Sequence, residues 1–429
     1  MNFQSGLVRK GLFLVICVCL AGCEPAATHF PPPATSSPIS PTLSPVPPSA
    51  TMTLTNTPHP TWTSIPTSAP YGKIPEQTDD GWQTTSLVDA GIDPVQINNM
   101  LDSIYHGQEQ GDTLTLPNGT RKMENIHSIL IAKDGRLVFE EYFYYYTRNT
   151  SHDPASVTKS ITSLLVGLAI EQGYIGSVQN KILAYFPEYL PFQGEESGQD
   201  DISIEDLLTM RTGLECDDWD PASRTYYNKP QPDRLDEIKY ILNIPMVSRP
   251  GSVFSYCTMG TTVLNALLSK TTGVALPAFA TQFLLQPLGI NNVVWDGSSG
   301  EWKNVDGVTF IRPRQMAKIG QLVLQNGNWN GKQILPQDWI EQSTLKHVSL
   351  HFNDSWGNGY GYLWWLSEVK IAGTQVHSIS ASGHGGQVIT IFPDLNMVVV
   401  ITGGNYENDA GQPFENMERF ILPAVLPAH

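Results

Sequence analysis

DPASVTKSITSLLVGLAI, Asp153 to Ile170, sets a serine and a lysine three residues apart at the head of an apolar run. After Ser156 the run continues for about four turns with Lys159 as its one charge, the pattern of a helix buried on most sides. Gly173 suits its end. The spacing puts Lys159 one turn beyond Ser156 on the same face, within reach of the serine oxygen. A serine hydroxyl is a weak nucleophile until a neighbouring base takes its proton, and Lys159 is placed to be that base. The same four residues also read as a first-turn serine with a snorkelling lysine. Ser-x-x-Lys recurs at Ser343 to Lys346 and at Ser367 to Lys370, but neither of those opens an apolar helix.

Upstream, Arg9 and Lys10 precede the apolar run GLFLVICVCL and then Leu20-Ala21-Gly22-Cys23, so residues 1–22 read as an export signal, too short to remain as a membrane span. Leu20 to Cys23 resembles the bacterial lipobox, which implies lipidation of Cys23 and attachment at the cell envelope, outside the cytoplasm. From Glu24 to Pro70 the chain is mostly Pro, Ser, Thr and Ala with no Lys or Arg, and cannot bury enough apolar surface to fold. Residues 23–75 are therefore expected to be a tether, able to hold a domain at 76–429 on the order of 100 Å from the membrane.

Loss of Arg9 and Lys10 with the signal takes the formal charge from −16 to −18. A chain this acidic has no footprint for nucleic acid. Cys17 and Cys19 leave too, so Cys216 and Cys257 remain as thiols. In an oxidising compartment they either pair or stay free. Cys-x-x-Cys is absent, and no metal or other cofactor is expected.

In the folded part, Ile126 to Phe143 reads as a hairpin around Lys133-Asp134-Gly135-Arg136. Helical stretches dominate about 174–341. Strand signals return at GYGYLWWL, QVHSISASG, QVITIFP and MVVVITG, and ENMERFILPAV suits a closing helix. Strands at both ends with helices between predict an α/β (α+β) fold: one antiparallel sheet flanked by terminal helices and carrying an inserted helical subdomain.

Two further segments join Ser156. Tyr256-Cys257-Thr258 begins a helix 100 residues on, and Gly383-His384-Gly385-Gly386 follows after another 128, between strands. Together with Ser156-Val157-Thr158-Lys159 they resemble the three motifs of the serine β-lactamase and penicillin-binding superfamily: Ser-x-x-Lys, Tyr-x-Asn/Ser, and Lys-Thr-Gly or its His-x-Gly variant. IEDLLTMRTGL, RPGSVFSY, LLQPLGI, GYGYLWW and GHGGQVITIFPDLNMVVV extend the likeness over about Glu124 to Gly404. The chain is most similar to the class C β-lactamase-like group, which includes D-alanyl-D-alanine carboxypeptidases, family VIII carboxylesterases and 6-aminohexanoate-dimer hydrolases.

The resemblance implies a β-lactamase/transpeptidase-like fold and assigns roles. Ser156 would be acylated, with Lys159 and Tyr256 exchanging its proton; which of the two is the base stays open. The N–H groups of Ser156 and Gln387 would hold the oxyanion. Gly385 and Gly386 would let substrate approach the strand. Thr258 stands where Asn or Ser is usual and His384 where lysine is usual; absence of the lysine, which in β-lactamases helps to hold a substrate carboxylate, tilts the expected small-molecule substrate toward esters or amides, with peptides also open. Trp219, Tyr360 and Trp364, with Trp365 beside it, are candidates for an acyl pocket. Neighbours on a strand face opposite ways, so one of the adjacent pair belongs to the core. Gly-x-Ser-x-Gly is absent, which removes an α/β-hydrolase reading. The leading expectation is an esterase or amidase. Its alternatives are a β-lactamase or carboxypeptidase, and a non-catalytic surface lipoprotein that keeps the fold as a binding module.

Overall fold

The computed structural model describes residues 71–426, apart from 110–112, 116–120, 124, 190–197, 224, 226–236, 296–306, 352–355 and 407–410. The expected export signal, Cys23 and nearly all of the tether lie outside the described residues. Nine strands make one sheet: β1 (Gln83–Thr84), β2 (Ile126–Lys133), β3 (Arg136–Tyr142), β4 (Val348–Ser349), β5 (Gly359–Tyr360), β6 (Trp365–Ile371), β7 (Thr374–Gly383), β8 (Gln387–Phe392) and β9 (Met397–Gly403). Their order is β1-β3-β2-β9-β8-β7-β6-β5-β4. Every neighbouring pair is antiparallel except β1 with β3. The early hairpin β2–β3 thus joins the later strands through β9, which lies beside β2.

Among the described residues ten α-helices accompany the sheet: α1 (Pro94–Glu109), α2 (Val157–Glu171), α3 (Ile204–Leu208), α4 (Glu237–Leu242), α5 (Thr258–Thr272), α6 (Leu276–Ala280), α7 (Pro313–Leu324), α8 (Gln337–Ser343), α9 (Gly411–Asn416) and α10 (Leu422–Val425). Why MVVVIT is apolar throughout follows from where they pack. Val399 and Ile401 face a core with Met100 of α1 and Leu422 of α10, whereas Val398 and Val400 face a second core with Leu164 of α2 and Ile319 of α7. A strand covered on both faces needs no polar alternation.

Two expectations need correction. The helical block at 174–341 is not one body, because α7 packs directly on β8 and β9. A Cβ on Gly320 of α7 would lie 2.5 Å from Val398 Cγ1 and 2.7 Å from Ile389 Cγ2, so the helix sits as close as glycine allows. The stretch GYGYLWWL is likewise not one strand. It turns between β5 and β6 with Leu363 at φ 61°, and the Leu363 N–H donates to the Leu208 carbonyl of α3 at 2.8 Å.

Candidate active site

Ser156 is the N-cap of α2, yet its hydroxyl caps no backbone N–H. Instead Oγ accepts a hydrogen bond from Lys159 Nζ at 2.8 Å. Lys159 is buried, and this is its one hydrogen bond among the described residues. The helix behind them is fixed by its own polar residues: Ser160 Oγ donates to the Leu363 carbonyl at 2.6 Å, and Thr158 Oγ1 accepts from Val308 N at 2.8 Å. The approach to the serine is strained. Ala155 sits at φ 47°, a region that disfavours a residue with a Cβ. The Asp153 carboxylate offsets this by accepting from the Ala155 N–H at 2.8 Å.

The end of β7 closes in on this turn. A Cβ on Gly383 would stand 2.3 Å from the Pro154 carbonyl oxygen and 3.1 Å from Ser156 N, so no other residue fits there. The β6 ladder stops at the pair Trp365–Ser380. Ala381 to Gly383 therefore have no β6 partner, and one backbone edge of β7 is left beside the serine.

Across from Ser156, the residues before α5 bring Tyr256 to Lys159, whose Nζ lies 5.1 Å from the centre of the tyrosine ring. Tyr256 is held from several sides. Cys257 forms a disulfide with Cys216, Cα to Cα 5.5 Å, so of the two arrangements left open by the sequence the paired one is present. The Asp218 N–H donates to the Tyr256 carbonyl at 2.8 Å, and Ser255 Oγ donates to the Cys216 carbonyl at 2.7 Å. Trp219 stacks on Tyr256 with ring centres 4.7 Å apart and planes within 3°. Trp365 completes the wall at 5.7 Å from Tyr256 and 6.0 Å from Trp219. Trp219 is half exposed, so the wall presents a flat apolar face to incoming substrate.

The residues expected from the sequence do not all gather here. Ser156, Lys159, Tyr256 and Trp219 do. Trp364 does not: it precedes β6, is fully buried in the core, and leaves the pocket position to Trp365. Tyr360 is also buried, packing edge-on against Trp365 at 4.7 Å, which places it behind the wall rather than in it. Gln387 is the first residue of β8 and faces Gly383 across the hairpin. Its side chain is buried and donates to the Gly403 carbonyl at 2.5 Å, while Gly383 is the strand residue that stands against the Ser156 turn. Gly385 and Gly386, at φ 83° and 87°, form the turn that joins β7 to β8. His384 is exposed on that turn with its ring 5.5 Å from Tyr406. The Thr258 hydroxyl is engaged, donating to Asp218 Oδ2 at 2.5 Å.

The other two Ser-x-x-Lys pairs lead elsewhere. Ser343 Oγ donates to the Ile340 carbonyl and Lys346 binds Glu368, while Ser367 Oγ accepts from the Gly357 N–H. The chain does contain one His-x-x-x-His spacing, His347 to His351. It spans β4 rather than a helix, and His347 stacks on Tyr362 and pairs with the Gln342 carbonyl.

Sequence reasoning missed Asp218 altogether, and it quoted Gly383 within its motif without giving it a place at the serine. Asp218 is one of four acids in ECDDWD, and only the Cys216–Cys257 pairing, which carries it to Thr258, marks it out from its neighbours. Burial raises its carboxyl above the ordinary carboxylate range, an effect that the two Thr258 hydrogen bonds and the Lys159 ammonium offset in part.

Residues 126–416, more than half of the chain, match the family model described as Beta-lactamase. A 6-aminohexanoate-dimer hydrolase of Paenarthrobacter ureafaciens is 22% identical over 306 residues, covering 66% of this chain and 74% of that protein. Among solved structures, a family VIII carboxylesterase shares the fold with a TM-score of 0.56 at 14% identity, over 77% of this chain and 96% of that one. An octameric penicillin-binding protein homologue from Pyrococcus abyssi does so with a TM-score of 0.56 at 17% identity, over 76% of each chain.

Proposed function

The chain belongs to the beta-lactamase family of serine hydrolases, and within it we propose an exported, lipid-anchored enzyme that cleaves an ester or amide through an acyl-enzyme at Ser156. The observation that carries this reading is the Ser156 hydroxyl at the head of a buried helix, bonded to Lys159 at 2.8 Å beneath Tyr256. In the reaction Ser156 Oγ attacks the substrate carbonyl while its proton passes into the Lys159–Tyr256 pair, to whichever member is unprotonated. The Ser156 N–H and the backbone at the Gly383 end of β7 stabilise the oxyanion. The pair returns the proton to the leaving alcohol or amine. Water then enters, gives up a proton by the same route, and releases the acid.

The wall of Trp219, Tyr256 and Trp365 favours an apolar acyl or leaving group. Lys159 is already bonded to Ser156, so it is poorly placed to clamp a substrate carboxylate. Both features support esters and linear amides over β-lactams, in line with what the names of the 6-aminohexanoate-dimer hydrolase and the carboxylesterase say of those proteins. The anchor rests on Leu20 to Cys23 and the tether behind it.

A panel of short-chain nitrophenyl esters, linear amides, D-alanyl-D-alanine peptides and a chromogenic cephalosporin tests the reading. Turnover of esters or amides that disappears in Ser156→Ala is expected. A cephalosporin turned over faster than every ester and amide would overturn the substrate assignment. For the anchor, the membrane fraction should hold a protein starting at diacylated Cys23, and finding the unlipidated chain there instead contradicts it.

A further inference from the structure

Asp218 occupies a place that the hydrolytic machinery described so far does not use. It is buried, only 8% exposed, at the entrance to α5. Its Oδ2 accepts from Thr258 N at 2.9 Å and from Thr258 Oγ1 at 2.5 Å, while its own N–H holds the Tyr256 carbonyl at 2.8 Å. The disulfide two residues away makes this attachment covalent. Groups on the adjoining elements act on the carboxylate: Lys159 from α2, Thr258 at the start of α5, and Asp217 on its own loop.

This arrangement changes what the second motif offers a substrate. Because the Thr258 hydroxyl proton points at Asp218, Thr258 does not present that donor to a ligand. A carboxylate stands directly behind it. The interaction of two like charges in a partly buried site decays slowly with distance and opposes binding of an anionic ligand. We propose that Asp218 is a positioning and specificity residue, which fixes the first turn of α5, and so Tyr256, and sets a negative charge beside Ser156 that selects against acyl groups carrying a carboxylate. The inference rests on Ser156 being the acylated residue.

Two nitrophenyl esters of matched length, a butyrate and a succinate monoester, measure it through the rate of Ser156 acylation at pH 7.5. Wild type should prefer the neutral butyrate. Asp218→Asn keeps an oxygen acceptor of the same size for Thr258 but removes the charge, and should shrink that preference by about tenfold. Should Asp218→Asn lose the fold, Asp218→Ser, which also accepts from Thr258, makes the same comparison. A ratio unchanged in the variant, or both rates falling by the same factor, would reduce Asp218 to a structural residue and overturn the proposal. Wild type acylated by neither ester overturns the hydrolase reading itself, so the two failures are distinguishable.

Discussion

Arg314 and Lys159 are both buried cations near the start of helices that pack on the sheet, and they differ in how many of their donors are engaged. Arg314, in α7, donates from Nε to Glu140 at 2.8 Å, from Nη1 to Thr78 and Asp80, and from Nη2 to Glu140 and the Glu76 carbonyl. Among the described residues Lys159 makes a single hydrogen bond, to Ser156. A buried charge whose donors are saturated fixes structure, tying the segment before β1 to β3 and α7. One left with donors to place retains the capacity to move a proton, which is what an acylation site needs.

The largest effects should separate along that line. Lys159→Met should lower kcat/KM on the best ester by at least about a thousandfold, with a melting temperature equal to or above wild type, since methionine fills the site without a buried ammonium. Arg314→Met should do the reverse. It leaves Glu140 buried without its counter-ion and should cost about 3 to 5 kcal/mol, while activity per folded molecule survives. Thermal melts and kinetics on both variants check this, and a Lys159→Met protein as unstable as Arg314→Met would break the contrast.

A third buried pair sharpens it. His127, Tyr146 and His152 stack just upstream of Ser156, with ring centres 3.8 Å and 4.7 Å apart, and both histidines are buried. Burial pushes both histidines down to about 4. In the unfolded chain they titrate near the ordinary value of about 6.5. The native state therefore binds fewer protons between those limits, so stability is fully present above about pH 6.5 and is lost as pH falls toward 4. At most about 3 kcal/mol is at stake for each histidine. Melting temperatures from pH 7.5 to 4.5 should fall less steeply for His152→Phe than for wild type, and parallel curves would contradict the assignment.

A smaller effect is expected from reduction. The Cys216–Cys257 bond spans 41 residues and contributes about 2 to 4 kcal/mol in the chain-entropy account. Its position, between Tyr256 and Thr258 on one side and two residues before Asp218 on the other, ties stability to turnover. Dithiothreitol should lower both the melting temperature and kcat, and a fall in melting temperature alone would show that Tyr256 is held without the bond.

Much of this was legible in the sequence because local signals agreed with the fold. An apolar run after Ser156 and a glycine at Gly173 mark α2, and the continuous apolar run MVVVIT marks β9 as a strand covered on both faces. The same helix context separates Ser156 from Ser343, which ends α8, and from Ser367, which lies within β6. What was not legible depends on long-range placement. Trp364 and Trp365 exchange roles because Leu363 adopts a left-handed turn that no glycine announces. Gly383 stands against the serine because β7 ends there and its Cα side faces Pro154 and Ser156, and Asp218 acquires its partner across 40 residues.

The central claim is that Ser156, alone among the three Ser-x-x-Lys serines, carries the acyl group. Peptide mapping after reaction with a fluorophosphonate tests it directly. The account predicts one adduct, on the peptide containing Ser156, present at the wild-type rate in Ser343→Ala and Ser367→Ala and missing from Ser156→Ala. An adduct formed at the normal rate in Ser156→Ala, or found on any other serine of the wild-type chain, would contradict it.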